Sequence, residues 1–251
     1  MPYSNALITG ISSGFGEALT KTLLNRDCEV FGCSRRDRHP AGAIHRQIDL
    51  TDFGKLPGEM DTLCGDTKHF DLVVLNAGVL GEIRDLSETP LAQAREVMDI
   101  NLWANKAVMD WLHQSGRTTN QVIMISSGAS VLGNHGWSSY SLSKAALNML
   151  ARLYSHEFPD THICALAPGI IDTAMMDYLC ETADAERFPA LQRLRDARGS
   201  SNMPGPGEAA EQVLEILPQL LERPSGDFID IRELLDPEGY ARLYGKSSAS
   251  T

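Results

Sequence analysis

The chain is short of positive charge: 22 lysines and arginines stand against 33 aspartates and glutamates, a formal net charge of −11. That balance argues against a nucleic-acid binder, because affinity for a phosphate backbone comes from clustered cations. Long apolar runs are also missing. None approaches the roughly 18 residues that a membrane-spanning helix needs, so no membrane partner is expected. The opening MPYSNALITG has no basic segment followed by an apolar stretch, and no secretory signal is expected. Cysteine is sparse. Cys28, Cys33, Cys64, Cys164 and Cys180 are odd in number and scattered, without a CxxC. They read as reduced, mostly packing thiols of a cytoplasmic protein. No His/Cys grouping has zinc spacing, and no metal is expected. The hydrophobic share of 43% and mean hydropathy of −0.18 leave material for a substantial core. No convincing linker divides the 251 residues, so residues 1–251 are read as one domain.

What the chain does have is concentrated between Ser127 and Lys144, SGASVLGNHGWSSYSLSK. Tyr140 follows Ser127 by thirteen residues, and Lys144 follows four later. If Ser138 caps a helix through SKAALNMLARL, Tyr140 and Lys144 share one face of it. A phenol donates a proton at neutral pH, and an adjacent ammonium favours the phenolate. Tyr140 is therefore a candidate acid for a carbonyl oxygen becoming an alkoxide, or a base for the reverse reaction. Ser127 would hydrogen-bond the same oxygen. A Tyr-xxx-Lys pair is also an ordinary helix-surface feature, so the rest of the chain has to decide.

Strands alternate with helices throughout, which predicts a single parallel sheet with helices on both faces. Ala6–Thr9 runs into Gly10, Gly14 and Gly16 ahead of an amphipathic helix. Glycines there let a phosphate approach the amides of a helix N-terminus, though plain turns look alike. Cys28–Ser34 is a second strand followed directly by Arg35 and Arg36, with no acid at the position that meets an adenosine ribose. In a dinucleotide-binding fold arginine there favours NADP over NAD; otherwise the pair is two solvated arginines in the polar turn RRDRHPAG. Ala43–Leu50 reads as a third strand closed by Asp49, and Thr51–Gly65 as a weak helix interrupted by Pro57. Asp71–Leu75 is a buried strand ending in Asn76, Ala77 and Gly78. Pro90–Gln114 reads as one long helix with Asn101 inside it, either structural or holding a water near the site. Its second apolar face suits a partner subunit or a thick core. Strands at Gln121–Ser126, His162–Ala167 and Gly226–Ile231 and helices at Ser138–Phe158 and Glu208–Leu221 follow. Residues 172–204 read as a mobile lid over a partly apolar pocket, with Met175, Met176, Tyr178, Leu179 and Phe188. The final KSSAST is expected to fray.

Taken in order, TGISSGFG, IDL, LNAG, Asn101, ISSG, YSLSK and APGIIDT resemble the short-chain dehydrogenase/reductase family, over residues 5 to 231. The resemblance implies a Rossmann-type doubly wound parallel sheet of about seven strands that binds a nicotinamide dinucleotide. It implies Ser127, Tyr140 and Lys144 as the catalytic set, with Asn101 as fourth member of a water-linked proton relay. It implies that Gly10, Ser12, Gly14, Phe15 and Gly16 cradle the pyrophosphate and that Ser34 and Arg35 bind the 2′-phosphate of NADP(H). Asp49 would contact adenine, with Leu50 beside it. Asn76, Ala77 and Gly78 would line the adenosine side, and Tyr140 and Lys144 would also touch the cofactor. Pro168, Gly169, Ile171 and Thr173 would fix the nicotinamide. Two departures stand out: Leu75 where the family often has asparagine, and Ser13 where some NADP users place a basic residue. GWSSYSLSK, with Trp137 three before the tyrosine, resembles sepiapterin reductase and bacterial benzil reductases; Trp137 either lines the pocket or packs. The implied activity is NADPH-dependent reduction of a small-molecule carbonyl by a homodimer or homotetramer. The alternatives are an NAD-dependent alcohol dehydrogenase and a non-catalytic nucleotide sensor on the same scaffold.

Overall fold

The structure, a computed structural model, describes residues 3–245; the KSSAST tail lies outside the described residues. Seven strands form one sheet: β1 (Asn5–Thr9), β2 (Glu29–Ser34), β3 (Ile44–Gln47), β4 (His69–Leu75), β5 (Thr118–Ile125), β6 (His162–Ala167) and β7 (Phe228–Asp230). Their order is β3-β2-β1-β4-β5-β6-β7, every pairing parallel. This is the doubly wound arrangement expected, and it reverses direction between β1 and β4, where such sheets open a ligand crevice.

The period-two alternation of strands explains why both faces are buried. Ala6, Ile8, Leu72, Val74, Ile123, Ile125, Cys164 and Leu166 point to one face, against Leu19 and Leu23 of the helix Gly14–Leu24 and Val213 and Leu217 of the helix Pro206–Leu220. Leu7, Val73, Leu75, Val122, Met124, Ile163 and Ala165 point to the other, against Met60, Met109, Leu112, Leu147 and Ala151. Each fully buried Leu or Ile stabilises the sheet by roughly 1.5–3 kcal/mol relative to exposure. All five cysteines are unpaired, and four of them are buried. Among the described residues no helix is long and apolar enough to cross a membrane.

Several local expectations are corrected. The third strand ends at Gln47, because Asp49 turns the chain by accepting bonds from Thr51 N at 2.9 Å and Thr51 Oγ1 at 2.7 Å. Pro57 does not interrupt a helix; it lies in the first turn of Leu56–Cys64, where its missing N–H costs nothing. The long helix is continuous but contains a π turn, Asp99–Trp103, between Leu91–Met98 and Ala104–Gln114, and Asn101 lies in that turn. Ser138 does not cap the helix Ser138–Glu157: Trp137 holds the cap position without a side-chain bond, and Ser138 Oγ instead accepts from Thr89 Oγ1 at 3.2 Å. The segment expected to form the lid is a cap over the cavity with an apolar core of its own, compatible with that expectation: Leu179, Phe188, Leu191, Leu194 and Met203 pack against Leu80 and Trp137. Asp172 N donates to Pro204 O at 3.0 Å and ties the two ends of the cap together.

Candidate active site

The C-terminal ends of β1, β2, β4, β5 and β6 open into one cavity of about 690 Å³, within the range of small-molecule sites. Every residue expected to touch a dinucleotide lines it, as do Ser127 and Trp137; Asn101 does not. Trp137 thus lines the pocket and packs in the cap's core as well.

The glycine loop forms because backbone atoms leave room for nothing larger. Gly10 is left-handed at φ 78°, and a Cβ there would lie 2.9 Å from the Cα of Ala77. A Cβ on Gly16 would overlap Asn76 Nδ2 and the Gly10 carbonyl. Asn76 Nδ2 donates to Thr9 O at 3.0 Å and Gly10 O at 3.2 Å, and Thr9 Oγ1 accepts from Asn76 N and Ala77 N at 3.0 and 3.1 Å. The two strand ends flanking the crevice are thereby fastened together. The helix that follows presents its N-terminus to the cavity with no side-chain cap on Ser13, an arrangement suited to an anion.

At the end of the cavity expected to meet the adenosine, side-chain partners differ from the expected ones. Ser34 is buried and its hydroxyl is occupied: it donates to Arg36 O at 2.8 Å and shares a 2.9 Å hydrogen bond with His45 Nε2. The cations there are Arg35 and Arg36, and Arg36 Nη2 donates to Ser13 Oγ at 3.0 Å across the glycine loop. Asp49 is held below the usual carboxylate range, first by the Thr51 amide, then by the Thr51 hydroxyl, with Arg35 contributing. Asp37, His39 and His45 also come within reach of one another, with the two imidazoles stacked at 4.2 Å. Their sequence spacing gave no sign of a cluster.

At the other end Ser127, Tyr140 and Lys144 converge. Lys144 is buried, and its Nζ donates to the Ile125 carbonyl at 2.7 Å, 5.7 Å from the Tyr140 ring centroid. Burial pulls the Lys144 ammonium down to about 8. Burial also raises the Tyr140 phenol above its ordinary value, and the neighbouring Ser127 hydroxyl pulls it partway back. The Tyr140 pKa thus lies above its ordinary value, opposite to the lowering expected from Lys144. Both Ser126 and Ser127 line the cavity, but the Ser126 hydroxyl is engaged: Ser126 Oγ donates to Asn148 Oδ1 at 2.5 Å, and Asn148 Nδ2 to Ser130 Oγ at 2.8 Å, turning Ser126 toward the helix Ser138–Glu157.

Asn101 is fully buried behind the cavity. Its Oδ1 accepts from Val79 N at 2.8 Å, and its Nδ2 donates to Val79 O at 2.8 Å and Ser143 Oγ at 2.9 Å. Its side chain therefore holds the Gly78–Val79 segment beside Lys144: a Cβ on Gly78 would sit 3.1 Å from Asn101 Oδ1 and 3.5 Å from Lys144 Nζ. Of the expected lid residues, Met175, Met176 and Leu179 face the cavity. Tyr178 does not; its hydroxyl accepts from Ile83 N at 3.1 Å, and Phe188 is buried under Gly136. Arg193 and Arg232 line the cavity without any motif having marked them.

The chain is 30% identical over 233 residues to the benzil reductase ((S)-benzoin forming) of Saccharomyces cerevisiae, covering 84% of this chain and 89% of that one. It is 28% identical over 244 residues to the benzil reductase ((S)-benzoin forming) of Bacillus subtilis, covering 91% and 98%. The crystal structure of the KRED1-Pglu enzyme superposes with a TM-score of 0.76 over 90% of this chain and 100% of that chain at 24% identity, a likeness of fold. The family model of the short chain dehydrogenases matches residues 4–184. With that match, the seven-stranded parallel sheet and the relatives above, the chain belongs to the short chain dehydrogenase family of oxidoreductases.

Proposed function

We propose that the protein is an NADPH-dependent carbonyl reductase whose reacting carbonyl is held by Ser127 and Tyr140. The observation that carries this reading is the convergence of a buried ammonium, a phenol and a serine hydroxyl at the wall of a cavity whose far end bears two arginines. The benzil reductase relatives favour a ketone next to a second carbonyl. The site fits a phosphorylated dinucleotide by its donor set: a glycine loop at a helix N-terminus, and Arg35 and Arg36 where an acid would select NAD.

When bound, NADPH supplies the hydride. Tyr140 gives its proton to the carbonyl oxygen as that oxygen gains charge, and its raised pKa keeps it protonated at neutral pH. Ser127 Oγ hydrogen-bonds the same oxygen and fixes its direction. Lys144, still mostly cationic below its pKa of about 8, stabilises the phenolate left on Tyr140. Asn101 acts as a positioning residue, keeping the Gly78–Val79 segment against Lys144. An exposed apolar strip on the helix Ser138–Glu157, Leu142, Met149 and Leu153, with Trp103 exposed on the neighbouring π turn, supports pairing of two copies.

The test is oxidation of NADPH, with NADH in parallel, across α-diketones, simple ketones and aldehydes. Turnover of benzil-type diketones with NADPH at least about 10-fold preferred is expected, since a 2′-phosphate on arginine adds charge-assisted bonds. Equal or better use of NADH would overturn the role given to Arg35 and Arg36. Tight cofactor binding without turnover of any carbonyl would overturn the reductase reading.

A further inference from the structure

We propose that the carbonyl substrate also carries a carboxylate, bound by Arg193 with Arg232 beside it; this rests on the reductase reading above. The protein as a whole is strongly acidic, yet its cavity is lined by four arginines and one lysine against a single carboxylate, Asp49. Arg35, Arg36 and Lys144 belong to the cofactor and the reacting carbonyl. Arg193 and Arg232 have no such duty. Arg232 follows β7, and β2, which leads into Arg35, lies five strand spacings away, roughly 24 Å at ~4.8 Å per strand. The second pair of arginines therefore answers to a different anion from the 2′-phosphate.

Arg232 is already neutralised. Its Nε donates to Asp230 Oδ1 at 2.8 Å and its Nη2 to Oδ2, while Tyr244 Oη donates to the same Oδ2 at 2.7 Å. Asp230 is wholly buried, so this guanidinium is locked in place. Arg193, on the cap helix Ala190–Ala197, has no hydrogen-bond or ion-pair partner among the described residues. Arg193 is an exposed residue, and partial loss of water around its guanidinium, then repulsion from Arg232, lowers its pKa; arginine stays a cation in proteins. One uncompensated positive charge faces the cleft. A monoanion matches it; a phosphate dianion would leave a charge over.

Arg232 is also close to the chemistry. A Cβ on Gly128, the residue after Ser127, would lie 2.9 Å from Tyr244 Oη and 3.3 Å from Arg232 Nη2. Leu132, Leu179 and Leu194 line the same cavity and suit an apolar body between the carbonyl and the anion. A guanidinium fork meets a carboxylate with two parallel hydrogen bonds, which makes the preference directional as well as electrostatic. The substrate class is thus an oxo acid with a hydrophobic frame.

The experiment compares kcat/KM for benzoylformate and 4-oxo-4-phenylbutanoate with that for their methyl esters, which keep the carbonyl and lose the charge. In the unmodified protein at least one acid is expected to exceed its ester by about 10-fold or more, the scale of one hydrogen bond to a charged group. Arg193→Gln should bring that acid-to-ester ratio close to 1 through the KM of the acid, and Arg193→Glu should invert it. Ester turnover with a ratio near 1 in both the unmodified protein and Arg193→Gln overturns the carboxylate site and leaves the reductase reading standing. If neither acids nor esters turn over, calorimetric titration of 4-oxo-4-phenylbutanoate into the NADP⁺-loaded protein decides. Binding weakened about 10-fold by Arg193→Gln supports the carboxylate site while the reductase reading fails. Binding that is absent, or equal in both proteins, overturns it.

Discussion

At the glycine loop the cavity is shaped by main-chain atoms. Gly10 and Gly16 abut Ala77, Asn76 and one another's backbone, and the Thr9 and Asn76 side chains bond main-chain groups. Over the other end the cavity is shaped by side chains: an apolar cluster around Leu191 and Phe188, with ion pairs at its rim. Arg187 reaches Asp85 and Glu88, and Arg198 reaches Asp172 at 3.2 Å, Asp177, and Glu181 at 3.0 Å. Backbone cannot be changed by substitution without moving the strands it belongs to, so the first end accepts one ligand shape. Side chains can be exchanged on an intact frame, so the second end is where substrate preference is free to vary.

That contrast is open to breaking at several points. The largest effect is expected at the junction of the two regions. Tyr140→Phe should lower kcat by about 10²- to 10⁴-fold, the worth of a positioned proton donor, while dinucleotide affinity measured by fluorescence titration persists. Retained turnover would mean that the proton comes from elsewhere. The same reaction has a predicted pH limit. Lys144 is cationic below about 8 and neutral above it, so the reduction rate should fall as pH rises through that value. A rate flat to pH 10 would remove Lys144 from the charge balance.

Next in size is a pair of glycines. Gly16→Ala forces a Cβ into the Gly10 carbonyl and should cost about 3 kcal/mol in denaturant unfolding, with loss of cofactor binding. Gly199→Ala in the cap meets no atom within 4 Å and is strained only by its φ of 76°. It should cost about 1–2 kcal/mol and leave cofactor affinity alone. Equal costs would erase the distinction between the two ends. The smallest effect belongs to Arg198→Gln. Its partners are well exposed and screened by solvent, so little stability is expected to go. A several-fold rise in substrate KM with no change in NADPH affinity would place the loss in the cap. A change confined to NADPH would contradict the division.

Much of the frame was legible in advance. Strand alternation, the GxxxGxG turn and the Tyr-xxx-Lys spacing are near-neighbour patterns, and the crevice stands where they put it. The misreadings were of another kind. Serine commonly caps helices, so the sequence allows Ser138 as a cap, yet its hydroxyl meets Thr89, forty-nine residues away. Pro57 was read as a breaker although a first helical turn tolerates it. The π turn at Asn101 left no trace in composition, since one extra residue in a turn shifts the apolar period by less than its ordinary scatter. Gly199, Ser200, Ser201 and Pro204 mark residues 172–204 as broken helix, and nothing local shows that Leu179, Phe188, Leu191 and Leu194 pack against Leu80 and Trp137, which arrive from far back in the chain.

The sequence by itself determined the sheet, the glycine loop, and the serine, tyrosine and lysine on a strand end and a helix face, because turn chemistry and periodicity act between residues close in the chain. Only the tertiary structure decided that the Ser126 hydroxyl is spent on Asn148, that the Ser34 hydroxyl is already spent on Arg36 and His45, and that Arg193 lines the cleft unpaired among the described residues. Those outcomes depend on which groups compete for the same hydrogen bond or carboxylate, and such partners meet only when strands and helices far apart in the chain are packed together.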